Sequence, residues 1–184
     1  MAINQTVEMA HSKMKGKLKF EQVYESLFPI LFRIAFRITG DRGLAEDLCH
    51  EAFVQYIKRK VSIIDLEQTK YWLIRVVRNL SLNYEKKLTR ERKAVDRLQS
   101  DNQPFTQSVE SDFVEAEARS AVQNALNALP YNQRMALVLK TYAGMQYREI
   151  GSILGISEGN VKVRIFRARA RLAQLLREGE LSVS

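Results

Sequence analysis

From Phe20 onward apolar residues recur at Val23, Tyr24, Leu27, Phe28, Leu31, Phe32, Ala35 and Phe36, the i, i+3, i+4, i+7 spacing of a single helix face. Pro29 lies inside this run and lacks the N–H that a helix interior uses, so the pattern predicts a kink or a division there. Gly40 ends the run. Asp41 is placed to cap a second helix, with Ala45, Leu48, Cys49, Ala52, Phe53, Tyr56 and Ile57 on its apolar face. After a looser stretch from Val61 to Thr69, a third helix carries Trp72, Leu73, Val76, Val77, Leu80 and Tyr84 as a stripe. Its other face holds Arg75, Arg78, Asn79, Asn83, Lys86 and Lys87, and bases continue through Arg90, Arg92, Lys93 and Arg97. Such a face is either simply solvated or a nucleic-acid footprint, and composition alone does not choose.

The pattern breaks at Leu98. Residues 98–118 hold Asp101, Glu110, Asp112, Glu115 and Glu117 and no Lys or Arg, with Ser, Gln and a Pro, and read as an acidic flexible linker whose end begins the next helix. Fully extended, such a segment reaches roughly 70 Å, about two turns of B-DNA. Helical period then returns: Ala121–Leu129, a break at Pro130, Gln133–Tyr142 stopped by Gly144, Tyr147–Leu154, and a last helix from Glu158 to about Arg177. Few segments alternate as strands do, so the fold class is all-α: two small helical domains joined by the linker. The expected division is a basic N-terminal extension over 1–19 with Lys13, Lys15, Lys17 and Lys19, a first domain over 20–97, the linker over 98–118, a second domain over 119–178, and a tail over 179–184.

Composition narrows the chemistry. The 184 residues carry 29 Lys+Arg against 21 Asp+Glu, a net charge of +8, which points to a polyanionic partner. One Cys, Cys49, and two His, His11 and His50, supply neither a disulfide nor a four-ligand zinc site. A catalytic Cys49 beside His50 is a poor candidate, because adjacent helical residues point about 100° apart; a buried core thiol is the better reading. Gly-rich phosphate loops, GxSxG and HExxH are missing from the sequence, so neither an enzyme nor a cofactor is expected. The polar N-terminus and the lack of a long apolar run lead us to expect a cytoplasmic protein with no membrane insertion.

The segment YREIGSILGISEGNVKVRIFRARARL carries the most information. A helix-turn-helix needs a small residue where its helices cross and a Gly at the turn, and Gly151 and Gly155 occupy those places. Ile150, Ile153, Leu154, Ile156, Val161 and Ile165 supply the apolar contacts, and Ser157 caps the second helix. That helix would leave Lys162, Arg164, Arg167, Arg169 and Arg171 largely outward, a surface suited to the major groove. Ser157, Glu158, Asn160 and Lys162 lie at the end that meets base edges, while Arg164, Arg167 and Arg171 suit phosphates or, in part, guanine edges. A structural helical hairpin with a solvated basic surface is the competing reading.

AEDLCHEAF in the first block and LPYNQRMALVLKTYAGMQYREIGSILGISEGNVKVRIFRARARL in the second resemble the extracytoplasmic-function (ECF) sigma factors of the sigma-70 family. The resemblance covers about residues 20–97 and 119–177. It implies a sigma-2 domain that binds core RNA polymerase and opens the minus-ten element, and a sigma-4 domain that reads the minus-thirty-five element. Asp47, Leu48, Glu51 and Phe53 match the helix that grips the clamp coiled coil of the largest catalytic subunit. His50 stands beside them where Gln is common, and Phe53 is the one that physical reasoning turns inward. Lys70, Tyr71, Trp72, Arg75, Arg78, Asn79 and Asn83 fall where the family traps melted single-stranded DNA, Trp72 being equally suited to the core. Gly151 stands where Ala is usual and Asn160 where Thr is frequent. The resemblance also implies an anti-sigma factor as a partner, and a linker that threads through the polymerase towards the RNA path. A stand-alone helix-turn-helix regulator, or an interaction protein whose basic helix meets acidic protein, are the alternatives.

Overall fold

The computed structural model describes residues 20–58, 65–96 and 113–181. Among these residues there are seven helices and no strand: α1 (Phe20–Thr39), α2 (Arg42–Lys58), α3 (Leu66–Asp96), α4 (Phe113–Asn127), α5 (Tyr131–Tyr142), α6 (Tyr147–Leu154) and α7 (Glu158–Leu181). The expected N-terminal extension, most of the acidic linker and the end of the tail lie outside the described residues.

Local chemistry sets the boundaries. Gly40, at φ +74°, takes the left-handed turn that closes α1, and its N–H donates to the Phe36 carbonyl. Asp41 Oδ1 accepts the Leu44 N–H at 2.9 Å and starts α2. Pro29 does not divide α1. It sits on the exposed side, where the carbonyl it leaves unpaired, that of Glu25, faces solvent. The loose stretch expected to reach Thr69 also ends early: Asp65 Oδ1 accepts the Glu67 N–H at 3.0 Å, so the helix already runs from Leu66. Polar residues hid that start, since a single cap outweighs four residues of ambiguous period. α4 begins at Phe113, before the expected Ala121 and inside the expected linker, and α5 follows Pro130 directly.

α1 is the centre of the molecule. Its buried residues Val23, Leu27, Leu31, Ile34, Ala35 and Ile38 meet α2 and α3, and its C-terminal half also meets α4 and α5. α4 to α7 form a second bundle around Leu126, Met135, Leu139, Ile150, Val161 and Ile165. The two bundles are packed against each other. Arg37 of α1 donates to Gln123 of α4 at 3.0 Å and lies over the Tyr142 ring of α5 at 5.3 Å. Asn127 of α4 closes on Gly40 so tightly that any Cβ there would collide with its side chain. Two expected stripe residues stay outside the core: Ile57 is 63% exposed and Tyr84 is exposed on α3, whereas Ile74 is buried in the place the stripe had left to solvent. A 100° step with a few degrees of drift moves such edge positions across a boundary.

Candidate nucleic-acid and polymerase interfaces

The second bundle contains a helix-turn-helix built as its sequence requires. Gln146 and Glu149 form a reciprocal capping box at the start of α6, with the Gln146 N–H donating to Glu149 Oε2 at 2.6 Å. Gly155, at φ +69°, ends the helix, and the Ile156 N–H returns to the Gly151 carbonyl at 3.0 Å. A Cβ on Gly151 would stand 2.7 Å from the Ile156 carbonyl oxygen, so the crossing is closed against a side chain. Ser157 Oγ accepts the Asn160 N–H at 3.3 Å and caps α7.

On α7, Val161, Ile165 and Ala168 turn inward, and Leu172 and Leu175 pack against the core. Lys162, Val163, Phe166 and Arg167 face outward at successive helical positions, with Ser157, Glu158 and Asn160 exposed at the amino end. Phe166 is 74% exposed and Val163 is 45% exposed, an apolar pair in the middle of a basic face. Neither was singled out from the sequence. The available signal was that Phe166 follows Lys162 by four residues and lies off the buried stripe. Lys162 pairs with Glu158 at 2.9 Å, and its Nζ lies 5.6 Å from the Tyr147 ring centre. Arg169 and Arg171 are exposed, but Arg164 is half-buried beside the inward stripe rather than largely outward.

On α3, Arg75, Asn79 and Asn83 stand exposed at i, i+4 spacing, and Lys86, Lys87 and Arg90 extend the row. The other candidates are more enclosed. Lys70 pairs with Glu67 at 3.6 Å. Tyr71 is half-buried and its hydroxyl donates to the Glu149 carbonyl of α6 at 3.3 Å. Trp72 is half-buried, with its ring 6.2 Å from that of Tyr56. Arg78 donates to Asn79 Oδ1 at 2.9 Å while its Nε is buried without a partner. Tyr71, Trp72 and Arg75 form one wall of a cleft of about 690 Å³, opposite Met145, Gln146 and Glu149.

On α2, Asp47, His50 and Glu51 are exposed along one face, and Val54, unnoticed in the sequence, continues it. Leu48, 8% exposed, is buried like Phe53 instead of standing out on that ridge, so the inward turn expected for Phe53 extends to Leu48. Cys49 is fully buried, and burial, with the nearby Glu46 carboxylate, pushes its thiol up to about 12. A nucleophilic role is thereby removed. Among the described residues no group of His, Cys, Asp and Glu is arranged to hold a metal, and no helix is long and apolar enough to cross a membrane.

Two family models match the chain: sigma-70 region 2 over residues 23–91 and sigma-70 region 4 over residues 119–172. An ECF RNA polymerase sigma factor of Bacillus subtilis, SigM, is 35% identical over 143 residues, spanning 77% of this chain and 85% of the relative. The RNA polymerase sigma factor SigZ of the same organism is 29% identical over 137 residues, spanning 74% of each. Among solved structures, the sigma factor RpoE of Bartonella quintana, crystallised with the anti-sigma factor NepR, matches with a TM-score of 0.63 and 26% identity over 86% of this chain and 96% of that one. With the α1–α3 unit carrying the region 2 match and the second bundle, with its capped helix-turn-helix, carrying the region 4 match, the chain belongs to the ECF sigma factors of the sigma-70 family, which direct promoter-specific initiation of transcription.

Proposed function

We propose that this sigma factor divides its work between three surfaces. α7 enters the major groove of the minus-thirty-five element. The observation that carries this is the outward face on which Lys162 and Arg167 flank Val163 and Phe166, because bases for phosphates or guanine edges and apolar groups for thymine methyls then lie within one groove width. Ser157, Glu158 and Asn160 meet the first base edges, and Arg164 and Arg171, on the flank, meet phosphates.

The α3 row of Arg75, Asn79 and Asn83 holds the melted minus-ten strand, with Lys70, Tyr71, Trp72 and Arg78 forming the wall into which a base turns out of the stack. Asp47, His50, Glu51 and Val54 form an acidic ridge with an apolar end, complementary to a basic coiled coil of core polymerase. Leu48 supports that ridge from inside. Domain limits of 20–97 and 119–178, with the linker between, follow the same division of labour. An anti-sigma partner is supported by the resemblance to RpoE, which was crystallised with one. A cytoplasmic site of action follows from a role on polymerase, and catalysis belongs to that enzyme rather than to this chain.

Run-off transcription with purified core polymerase on a library of genomic promoters tests the reading. Transcripts should start only when the factor is added; a library giving no factor-dependent start would refute it. Replacing both Asp47 and Glu51 by Ala should lower core affinity about tenfold or more while duplex binding by the helix-turn-helix persists. A stand-alone regulator is disfavoured because it leaves the region 2 match and the α2 ridge without a task.

A further inference from the structure

One aromatic ring ties three elements of the second bundle together, and a cation of the duplex-reading face is among the groups it holds. Tyr147 is the first residue of α6, where the reciprocal capping box of Gln146 and Glu149 fixes its backbone. Its side chain is half-buried and packs against the core. Two ammonium groups approach the ring. Lys140, from α5, sets Nζ 4.9 Å from the ring centre and donates to the Met145 carbonyl, in the turn before α6, at 3.1 Å. Lys162, from α7, sets Nζ 5.6 Å from the same centre and pairs with Glu158 Oε1 at 2.9 Å.

A lysine side chain is a point charge on a flexible stem, and a single loose partner does not give it a direction. The Glu158 pair lies on α7 itself with both groups about half exposed, so alone it is a weak and screened restraint. The ring adds a second restraint from another helix. Its negative face attracts an ammonium within about 6 Å of the centroid, and the core contact, with Lys140 anchored on the Met145 carbonyl, keeps that face from turning away. Held between carboxylate and ring, Lys162 is directed before any duplex is present, so less freedom is lost when it docks. It stands exposed beside Val163, where an aimed ammonium suits guanine O6 or N7.

We propose that Tyr147 is a positioning residue for duplex readout: together with the Glu158 carboxylate, its ring holds the Lys162 ammonium in one direction, so that Lys162 discriminates a base pair instead of serving as a loose counter-charge. The proposal rests on the assignment of α7 to the minus-thirty-five duplex. Tyr147 acts through Lys162 and not on the DNA. Its part is the π face, which phenylalanine shares and an aliphatic side chain lacks.

Full-length protein carrying Tyr147→Phe or Tyr147→Leu is compared with the parent, and Tyr147→Met replaces the leucine variant where that does not fold. In the free protein, proton NMR reads the ring-current shift of the Lys162 side-chain methylenes, expected upfield in the parent and in Tyr147→Phe and ordinary in Tyr147→Leu. With core polymerase bound, matched and singly altered promoter duplexes then compete. Tyr147→Leu should lower discrimination at one base pair of the minus-thirty-five element about two- to fivefold, and Tyr147→Phe should keep it. In a Lys162→Ala background the leucine change should lower it no further. A loss spread evenly over all positions, or one that persists undiminished without Lys162, makes Tyr147 merely structural and overturns the proposal. An ordinary Lys162 shift in the parent, or a phenylalanine variant as impaired as the leucine one, overturns it as well. Discrimination left unchanged by Lys162→Ala itself refutes the reading role of Lys162, and the NMR shift still decides separately whether the ring holds it.

Discussion

α3 and α7 are both long helices with a buried apolar stripe and a row of bases, yet they hold those bases differently. On α7 the outward face keeps to its own motif: Lys162 pairs with Glu158 and lies over Tyr147, and Phe166 stands in solvent. On α3 Arg75, Asn79 and Asn83 are open, as are Lys86, Lys87 and Arg90 beyond them, whereas Tyr71, Arg78, Ser81 and Glu85 are engaged by α5 and α6. A duplex reader can be finished in advance, because the major groove offers its pattern without being deformed. A strand-trapping surface is useful only after melting, when its partner exists. The difference teaches that equal charge does not mean equal readiness.

Breaking the α7 side at its base has the largest expected effect. Ile150 is fully buried between α6 and the rest of the bundle, so Ile150→Ala should cost about 2–5 kcal/mol of stability. Thermal unfolding would register it, and duplex binding should fall while capture of a single-stranded minus-ten oligonucleotide persists. A variant that keeps full duplex affinity at its lowered melting temperature would show that α6 does not position α7. Next come changes confined to the outer face. Phe166→Ala or Arg167→Ala should leave stability alone and remove about 1–3 kcal/mol of discrimination at one or two base pairs. Competition between matched and altered minus-thirty-five duplexes measures it, and a uniform loss across all sequences would reassign Arg167 to phosphate contact. The α3 row should give the gentler response. Asn79→Ala is expected to weaken single-strand binding by about 1 kcal/mol, roughly fivefold, with the duplex unaffected. An equal loss on both probes would erase the proposed division between the helices.

How much of this was legible beforehand follows the same contrast. The helix-turn-helix is local: Gly151, Gly155, Ser157 and the Ile spacing lie within one short segment, and each acts on its near neighbours, so the sequence carried the motif nearly whole. α3 is decided by distant partners. Nothing in the spacing of Arg78 or Ser81 announces that Tyr131, some fifty residues on, will seat against them. Leu48 misled for a related reason, since a resemblance marks a face by its motif while burial is set by which way α2 rolls against α1. Phe166 was passed over because an aromatic residue at helical spacing is ordinarily core, and only its exposure reveals that the stripe excludes it.

The smallest expected effect is an absence of change, and it separates burial from function in both bundles. Cys49 in the first and Tyr131 at the junction are each held neutral by burial, their pKa values raised to about 12 from 9.0 and 10.0. A raised folded value means the native state binds the proton more tightly than the unfolded chain. The resulting stability is therefore complete below the unfolded value and disappears as pH climbs through the folded one. Between pH 7 and about 9 neither group should alter stability. Above about 9 the thiol, and above about 10 the phenol, should begin to draw the protein open, and the loss should finish near 12. Denaturant titrations across this range test it, with Cys49→Ala expected to delete the earlier onset and Tyr131→Phe the later. At pH 8 a thiol reagent should leave folded Cys49 untouched. Rapid modification there would mean that α2 breathes away from α1, and that the ridge of Asp47, His50 and Glu51 is less firmly presented than the duplex-reading face of α7.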